Sequence, residues 1–447
     1  DGKKFEKGKA YIVPSEQPNF LIVHSLFEEN ILKDSIYYDN TGWSVIHAFG
    51  LQYATIKTPG FAKGARVTEA ALPTGDVVGG QASLAYITSY TDYNASKALF
   101  HLLNKGVSVK AAFKPFAAQV GAEKKSFGYG SLIIPVAGQN ISSDSLYRLV
   151  TATAQAANVS FTSVATGFSA EGIDLGSSNI RTVKKPEVAV AFGPGVNPAE
   201  AGQIWKLLSE QLHLPVTKLD VQGFDRFSLK RYNTLVLPGG NYSAWSKPIV
   251  DKIKSWVAEG NTLITLQNAS AWAVQQEVVR EKLVEEAAPG SRGATPAAAS
   301  PATTVNRPTQ PSLLGQSNEE NAGSKTEAIA AAKPKITRID YVDQQDVEGA
   351  RRINGAIFTT DLDITNPLAF GITSRKLFVN KNTSTFLQPS ANKYATVAQY
   401  TDNPFVNGYA SKANIKKVSG SAAIILSPSG SGQVVLFADD PTYRGYW

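Results

Sequence analysis

From residue 185 onward, short apolar segments alternate with amphipathic ones, and this rhythm restricts the fold more than any other feature. The apolar run PEVAVAFG precedes the helical pattern NPAEAGQIWKLLSEQL, and TLVLPGG precedes KPIVDKIKSWVAEG. Such an alternation predicts parallel strands joined by crossover helices. A nearly continuous apolar strand is expected where helices cover both faces of the sheet. We therefore predict an α/β fold with a doubly wound parallel sheet.

Changes in this rhythm divide the chain into four parts. Residues 1–75 are irregular and are expected to pack on the domain that follows. Residues 76–184 carry a shorter strand–helix pattern and predict a second, smaller α/β domain. The main domain comprises residues 185–284 and 336–447. Between its two parts, residues 285–335 are rich in Ala, Pro, Ser and Thr, and such a segment buries too little apolar surface to offset the entropy of ordering it, so we predict a mobile insertion.

Composition excludes several classes of function. The chain has 447 residues, of which 43% are hydrophobic and 18% charged, which suits a globular protein of two or three domains. The net charge of +7 is scattered rather than clustered, so we expect no nucleic-acid partner. No apolar run reaches the roughly 18 residues that a membrane-spanning helix needs. Cysteine is absent, which excludes disulfides, thiolate metal sites and a cysteine nucleophile.

The histidines do not form a zinc-binding motif. Zinc hydrolases combine imidazoles with a carboxylate, often as His-x-x-Glu or His-Glu-x-x-His. Neither pattern occurs around the four histidines, which are His24, His47, His101 and His213. We therefore predict no metal site within this chain.

Two turns in the main domain resemble parts of an acyl-transfer site. TLITLQNASAW, Thr262–Trp272, predicts a strand, a sharp turn and a helix, the setting in which many hydrolases hold their nucleophile. LPGG, Leu237–Gly240, ends a neighbouring strand. Backbone N–H groups at Gly239 and Gly240 could form an oxyanion hole there, or the glycines could serve a tight turn.

With these two turns in place, the domain resembles the class I glutamine amidotransferase-like fold, which is flavodoxin-like. That fold carries Gly-x-Cys-x-Gly at the strand-to-helix turn. The pattern falls on Leu266–Ser270, with Asn268 at the cysteine position and neither glycine present. The family's catalytic histidine follows the nucleophile, whereas no histidine follows His213 here. The resemblance therefore implies a degenerate site without amidotransferase chemistry.

A second resemblance covers nearly the whole chain except the insertion. Seven separated motifs occur in an order similar to that in the C-terminal accessory region of large bacterial zinc carboxypeptidases of the carboxypeptidase A-like family: GKAYIVPSEQPNFLIVHSLFEE, DSIYYDNTGWSVIHAFGLQYA, GSLIIPV, GIDLGSSNI, GAIFTTDLDITNPLAFG, YTDNPFVNGYASKANI and GQVVLFADDPTYRGYW. The resemblance implies an exported protein, periplasmic, cell-surface or secreted. It also implies a peptidase catalytic domain in the same polypeptide, with zinc bound only there.

Three functions remain open from the sequence. The chain is a non-catalytic accessory region of such a peptidase, a stand-alone module that binds a small ligand, peptide or glycan, or a hydrolase with an unrecognised site near Asn268. Ligands of open α/β sheets bind beyond the carboxyl ends of the strands. The residues expected at that edge are Gly193, Gly239, Gly240, Asn268 and Ser270. Tyr242, Trp245 and Trp272 could add stacking surfaces, although packing of the tryptophans between helices and sheet is the preferred interpretation.

Overall fold

The computed structural model describes residues 3–29, 40–57, 60, 63–69, 73–284 and 340–447. The described residues up to Val284 and from Gln345 belong to one compact unit. A second unit, Glu285–Gln344, contains in its described part the 3-10 turn Tyr341–Asp343. The predicted mobile insertion at 285–335 lies outside the described residues.

The first half of the chain builds two sheets. Its helices are α1 (Phe20–Phe27), α2 (Val45–Ala48), α3 (Ala95–Asn104) and α4 (Ser143–Ala157). Its strands are β1 (Val77–Val78), β2 (Ala85–Thr88), β3 (Lys110–Ala112), β4 (Phe116–Val120), β5 (Glu123–Phe127), β6 (Leu132–Pro135), β7 (Phe161–Val164), β8 (Ser169–Gly172) and β9 (Ile180–Thr182). Six of them form a mixed sheet in the order β1-β7-β2-β6-β3-β9, and β5-β4-β8 form a small antiparallel sheet.

The second half builds one nine-stranded sheet. Its strands are β10 (Val188–Phe192), β11 (Val216–Asp220), β12 (Thr234–Leu237), β13 (Thr262–Leu266), β14 (Ala356–Leu362), β15 (Lys376–Lys381), β16 (Thr396–Asn407), β17 (Ala422–Ser429) and β18 (Gly432–Phe437). Its helices are α5 (Pro198–Trp205), which continues as a π-helix over Lys206–Gln211, α6 (Lys247–Ala258), α7 (Asn268–Gln275), α8 (Gln344–Arg351) and α9 (Lys412–Val418). The strand order is β11-β10-β12-β13-β18-β17-β16-β14-β15.

This sheet is parallel in one half and antiparallel in the other. Strands β11, β10, β12, β13 and β18 run parallel, whereas β17, β16, β14 and β15 pair antiparallel. The prediction of a parallel sheet therefore holds for five strands only, and the fold is mixed α/β. The physical reason is that β17 and β18 form a hairpin, and a strand joined to its neighbour by a short turn must run antiparallel to it. The segments SAAIILSP and GQVVLFADDP predict such a hairpin near the end of the sheet; the hairpin is present, but β18 lies at the centre of the sheet.

The parallel half is buried on both faces. Val188 and Val190 of β10 point into a cluster with Ile204 of α5. The alternate residues of the same strand, Ala189 and Ala191, join the cluster on the opposite face, which contains α6 and α7. Alternation of side chains along one strand thus places apolar groups against helices on both sides, as its apolar sequence predicted.

The described part of residues 1–75 contacts the end of the chain. Thr41 donates its N–H to the carbonyl of Asn354 at 3.1 Å, and the Arg444 guanidinium lies over the Trp43 ring. These contacts are with residues that lie just before β14 and after β18 of the large sheet. The packing of residues 1–75 on the domain that follows them in sequence stays a prediction. The eight residues of α1 include none that is buried.

Candidate functional site

A cavity of about 700 Å³ opens at the carboxyl end of the parallel strands. Its walls come from four separate segments: the loop after β10, the loop after β12, the β13–α7 turn, and the loop after β15. Three of these segments follow adjacent parallel strands, β10, β12 and β13. The fourth, Asn382–Thr385, comes from the antiparallel half of the sheet. This is the sheet edge at which open α/β folds bind ligands, as the sequence predicted.

The sharp turn between β13 and α7 is centred on Gln267, not on Asn268. Gln267 has φ 53° and ψ −122°, a region that non-glycine residues rarely occupy and that costs roughly 1–3 kcal/mol. Asn268 is the first residue of α7. The strained residue of the turn is therefore Gln267, one residue before Asn268. Its carboxamide Nε2 donates to Asn382 Oδ1 at 2.6 Å.

The two glycine N–H groups that could form an oxyanion hole already have acceptors. Gly239 donates to Glu200 Oε2 at 2.7 Å, and Gly240 donates to Asn268 Oδ1 at 2.9 Å. Neither glycine has a positive φ, so a turn conformation does not explain them. A Cβ on Gly239 would lie 2.4 Å from Glu200 Oε2, and one on Gly240 would lie 2.7 Å from the carbonyl oxygen of Gly195. Close approach of neighbouring atoms is therefore what requires glycine at both positions.

Glu200 is the acidic residue of the cavity. It is 3% exposed and lies in the first turn of α5, behind the N-cap Asn197. Asn197 Nδ2 donates to Glu200 Oε1 at 2.8 Å. Burial, together with the negative charge of Asp440, raises the pKa of Glu200 to about 7, against the opposing effect of the hydrogen bonds from Gly239 and Asn197. Glu200 was not predicted as a site residue. Asn and Glu three residues apart predict a capping box at the start of a helix. Because capping alone explains the glutamate, the sequence gives no sign of a second role.

Asp440 lies beyond β18 and is 2% exposed. Its Oδ1 accepts hydrogen bonds from Thr442 N at 2.8 Å and Thr442 Oγ1 at 2.6 Å. Its Oδ2 has no hydrogen-bond partner within the described part of the chain. Burial raises the pKa of Asp440, and the charge of Asp439 adds to the effect. Two buried carboxyl groups with raised pKa values, Glu200 and Asp440, therefore interact electrostatically at this end of the sheet.

A buried ion pair supports the loop after β15. Lys381 is fully buried, and its Nζ donates to the carbonyl of Thr385 at 2.8 Å and to Asp439 Oδ1 at 3.0 Å. The Tyr400 hydroxyl donates to the other oxygen of Asp439. Burial lowers the pKa of Lys381, whereas Asp439 opposes that change. Through the bond to Thr385, this network stabilises the loop Asn382–Thr385, which forms one wall of the cavity.

The other predicted site residues lie outside the cavity. Ser270 is fully buried, and its hydroxyl bonds the carbonyls of Thr265 at 2.9 Å and Phe437 at 2.8 Å. Gly193 has φ 112° and packs against Asp220, away from the cavity lining. The structure thus brings Gly239, Gly240 and Asn268 together at the cavity, without Ser270 or Gly193.

The three aromatic candidates form part of the core. Tyr242, Trp245 and Trp272 are buried and pack on one another with ring-centroid distances of 4.8–5.7 Å. Phe224 completes the cluster, and the Trp245 Nε1–H donates to the carbonyl of Val221 at 3.2 Å. Their rings are not available for stacking on a ligand. They pack between the helices and the sheet, as the preferred interpretation of the tryptophans expected.

The histidines lie apart from the cavity. His47 is buried, with Nδ1 2.7 Å from Ser44 Oγ, and burial lowers its pKa. His101 Nδ1 is 2.8 Å from Thr153 Oγ1, and burial lowers its pKa as well. No group of three or more His, Cys, Asp or Glu within the described residues is arranged to hold a metal ion. In the same residues, no helix is both long and apolar enough to cross a membrane.

Comparison with known proteins gives distant structural similarities. No family model and no curated protein matches the chain. A ThuA-like protein from Parabacteroides merdae is 12% identical with a TM-score of 0.31, over 56% of this chain and 77% of that one. A ThuA-like protein from Bacteroides uniformis is 10% identical with a TM-score of 0.30, over 58% and 85%. A β-galactosidase from Rahnella sp. R3 is 11% identical with a TM-score of 0.26, and the match spans 58% of this chain and 30% of that enzyme. Likeness at these TM-scores carries no argument about function.

Proposed function

We propose that this chain is a non-catalytic accessory region of an exported zinc carboxypeptidase, and that its cavity is a recognition site. The observation that carries the proposal is the turn at Gln267. A carboxamide is not a nucleophile, and this one is hydrogen-bonded to Asn382. Both nearby glycine N–H groups are bonded to the chain's own oxygens, so an oxyanion would have to displace them.

We further propose that the main domain derives from an amidotransferase-like, doubly wound fold. The support is local: five parallel strands with apolar contacts on both faces, a Pro-Gly-Gly turn beside a strained strand-to-helix turn, and a cavity at the carboxyl edge. The antiparallel strands β14–β17 would be an extension of that fold. Such a domain keeps the binding geometry after its chemistry is lost.

The carboxypeptidase context rests on the seven ordered sequence motifs. It implies a peptidase catalytic domain, with its zinc, in the same polypeptide, and export to the periplasm, cell surface or medium. The gene sequence preceding residue 1 tests this directly. A domain carrying His-x-x-Glu and a further zinc histidine is expected there, and a different type of domain would refute the context.

A matched pair of variants of the complete polypeptide tests the recognition site. Ser384 is exposed at the rim of the cavity, and Ser374 is exposed beyond the other end of β15. Ser384→Trp is expected to raise KM several-fold for peptides long enough to reach the cavity, with little change for a blocked dipeptide. Ser374→Trp should change neither. Equal kinetics for both variants on all substrates would refute a role of the cavity in recognition.

A hydrolase remains the second candidate, and one observation favours it. A cavity carboxyl whose pKa is raised to about 7 has the acidity expected of a general acid or base. In that case the purified chain would hydrolyse a peptide, amide or glycoside, and Glu200→Gln would lower kcat by roughly 100-fold or more. Absence of Glu200-dependent turnover across such a panel would eliminate this candidate.

A further inference from the structure

The cavity wall has an unusual chemical composition. It is made of side-chain amides, hydroxyls and backbone, with Val196 as the one apolar side chain of any size and Glu200 as the one charged side chain among the residues that line it. No Lys, Arg or His, and no aromatic residue, belongs to that lining. Anionic ligands would therefore find a carboxylate and no cation, and sugar rings would find no aromatic platform.

Acceptor oxygens converge on one corner of this cavity, beside Gly239. The position that a Cβ of Gly239 would take lies 2.4 Å from Glu200 Oε2, 2.9 Å from Glu200 Oε1 and 3.0 Å from Gln267 Oε1. The Gln267 amide directs its nitrogen away, to Asn382, so its oxygen faces this corner. A group with several N–H donors and a positive charge matches three such oxygens.

A second carboxyl group adds to the negative charge at this corner. Asp440 is 2% exposed, and its Oδ2 lacks a hydrogen-bond partner within the described residues. Its charge acts on Glu200. A cationic ligand at Glu200 would offset the repulsion between the two carboxyl groups and would be attracted by both.

We propose that this corner binds the protonated α-amino group of a short peptide, with Glu200 and Gln267 accepting its hydrogen bonds and Asp440 adding negative charge. The amides and hydroxyls of the remaining wall, including Asn241 and Thr383, then face the peptide groups of the following residues. The absence of an aromatic lining favours a peptide over an amino sugar. This inference rests on the proposed recognition site, and it names the ligand by its amino end.

Titration calorimetry of the purified chain at pH 7.5 tests the proposal with three probes: triglycine amide, N-acetyl-triglycine amide and glucosamine. Triglycine amide is expected to bind at one site, and acetylation, which removes the charge and donors, should weaken binding at least tenfold. Glucosamine should bind more weakly than the peptide. Equal binding of the acetylated and free peptides would overturn the proposal, and preferential binding of glucosamine would overturn the choice of a peptide.

Variants locate the site. Glu200→Gln keeps the shape of the side chain and should weaken triglycine amide binding at least tenfold, and Gln267→Met should weaken it several-fold, whereas the exposed Ser374→Ala should not. Circular dichroism checks that each variant is folded. If Glu200→Gln does not fold, Gln267→Met alone tests the assignment. Unchanged binding in both cavity variants would overturn the assignment. The outcome is separable from the proposed function, because a missing upstream peptidase domain or Glu200-dependent hydrolysis would refute that function while amine binding persisted.

Discussion

Glu200→Gln should change how the stability of the protein depends on pH. In the folded protein the pKa of Glu200 is raised from 4.5 to about 7. The folded state therefore holds a proton that the unfolded chain releases between these two pH values, so stability falls as pH rises through this window. Glutamine mimics the protonated carboxyl, and the variant should lack this component of the pH dependence.

The magnitude follows from the pKa shift. Each unit is worth roughly 1.4 kcal/mol, so the rise from 4.5 to about 7 corresponds to about 3 kcal/mol. Near pH 4.5 the wild-type protein and Glu200→Gln should have similar free energies of unfolding. By pH 8 the variant should be more stable than the wild type by up to about 3 kcal/mol, less whatever it loses because a neutral acceptor bonds Gly239 more weakly than a carboxylate does.

Urea unfolding at pH 4.5, 6, 7 and 8, followed by tryptophan fluorescence, measures this difference. The buried Trp245 and Trp272 report on the same half of the large sheet. Glu259→Gln, at an exposed position after α6, is the matched control for replacing a carboxylate by an amide. The difference in free energy of unfolding between wild type and variant could instead be constant over this pH range, or could favour the wild type increasingly at high pH. Either result would refute the inference that burial dominates the pKa of Glu200.

Three further perturbations test the surroundings of the cavity. Gln267→Gly should be more stable than Gln267→Ala by roughly 1–3 kcal/mol, because glycine accepts φ 53° without strain; a more stable alanine variant in thermal unfolding would show that the turn is not strained. Asp439→Asn should cost roughly 3–5 kcal/mol in urea unfolding, because it leaves the charge of Lys381 buried without its counterion; a loss below about 1 kcal/mol would mean that Lys381 is neutral in the fold. Trp272→Ala should cost roughly 3–5 kcal/mol because it empties part of the core, and a near-neutral variant in calorimetry would place the ring outside that core.

The parallel half of the large sheet could be predicted from sequence because its elements are local. Strands β10, β12 and β13 are short apolar runs, and each is followed by a helix or turn with recognisable boundaries, such as the Asn197–Pro198 start of α5. Apart from the hairpin of β17 with β18, the antiparallel half was not predicted. Strands β14 to β17 alternate with irregular segments rather than long helices, so the periodicity contains little information about their direction.

The sequence predicted the edge of the sheet at which the cavity lies, but only some of the residues that line it. Gly239 and Gly240 were recognised because paired glycines after a strand are a strong local signal. Gln267 was not predicted as a cavity residue, because the strain at its φ of 53° has no signature in the sequence. Glu200 and Asn382 enter the site only through pairing of distant strands, and an acid at the start of a helix is explained by capping alone. Long-range contacts of this kind cannot be predicted from one sequence.

The pairing of β13 with β18 has a consequence for the order in which the protein folds. Leu266 of β13 lies opposite Phe437 of β18, so the strand that precedes the Gln267 turn acquires its second neighbour only from β18, the last strand of this sheet in sequence. Contacts at this sequence separation form late, after the closure of a very long loop. During synthesis, the N-terminal sheets and β10–β13 would leave the ribosome well before β18. The cavity would thus be completed only when translation of this region ends, and a chain shortened before Gly432 should expose the apolar edge of β13 and be prone to aggregation.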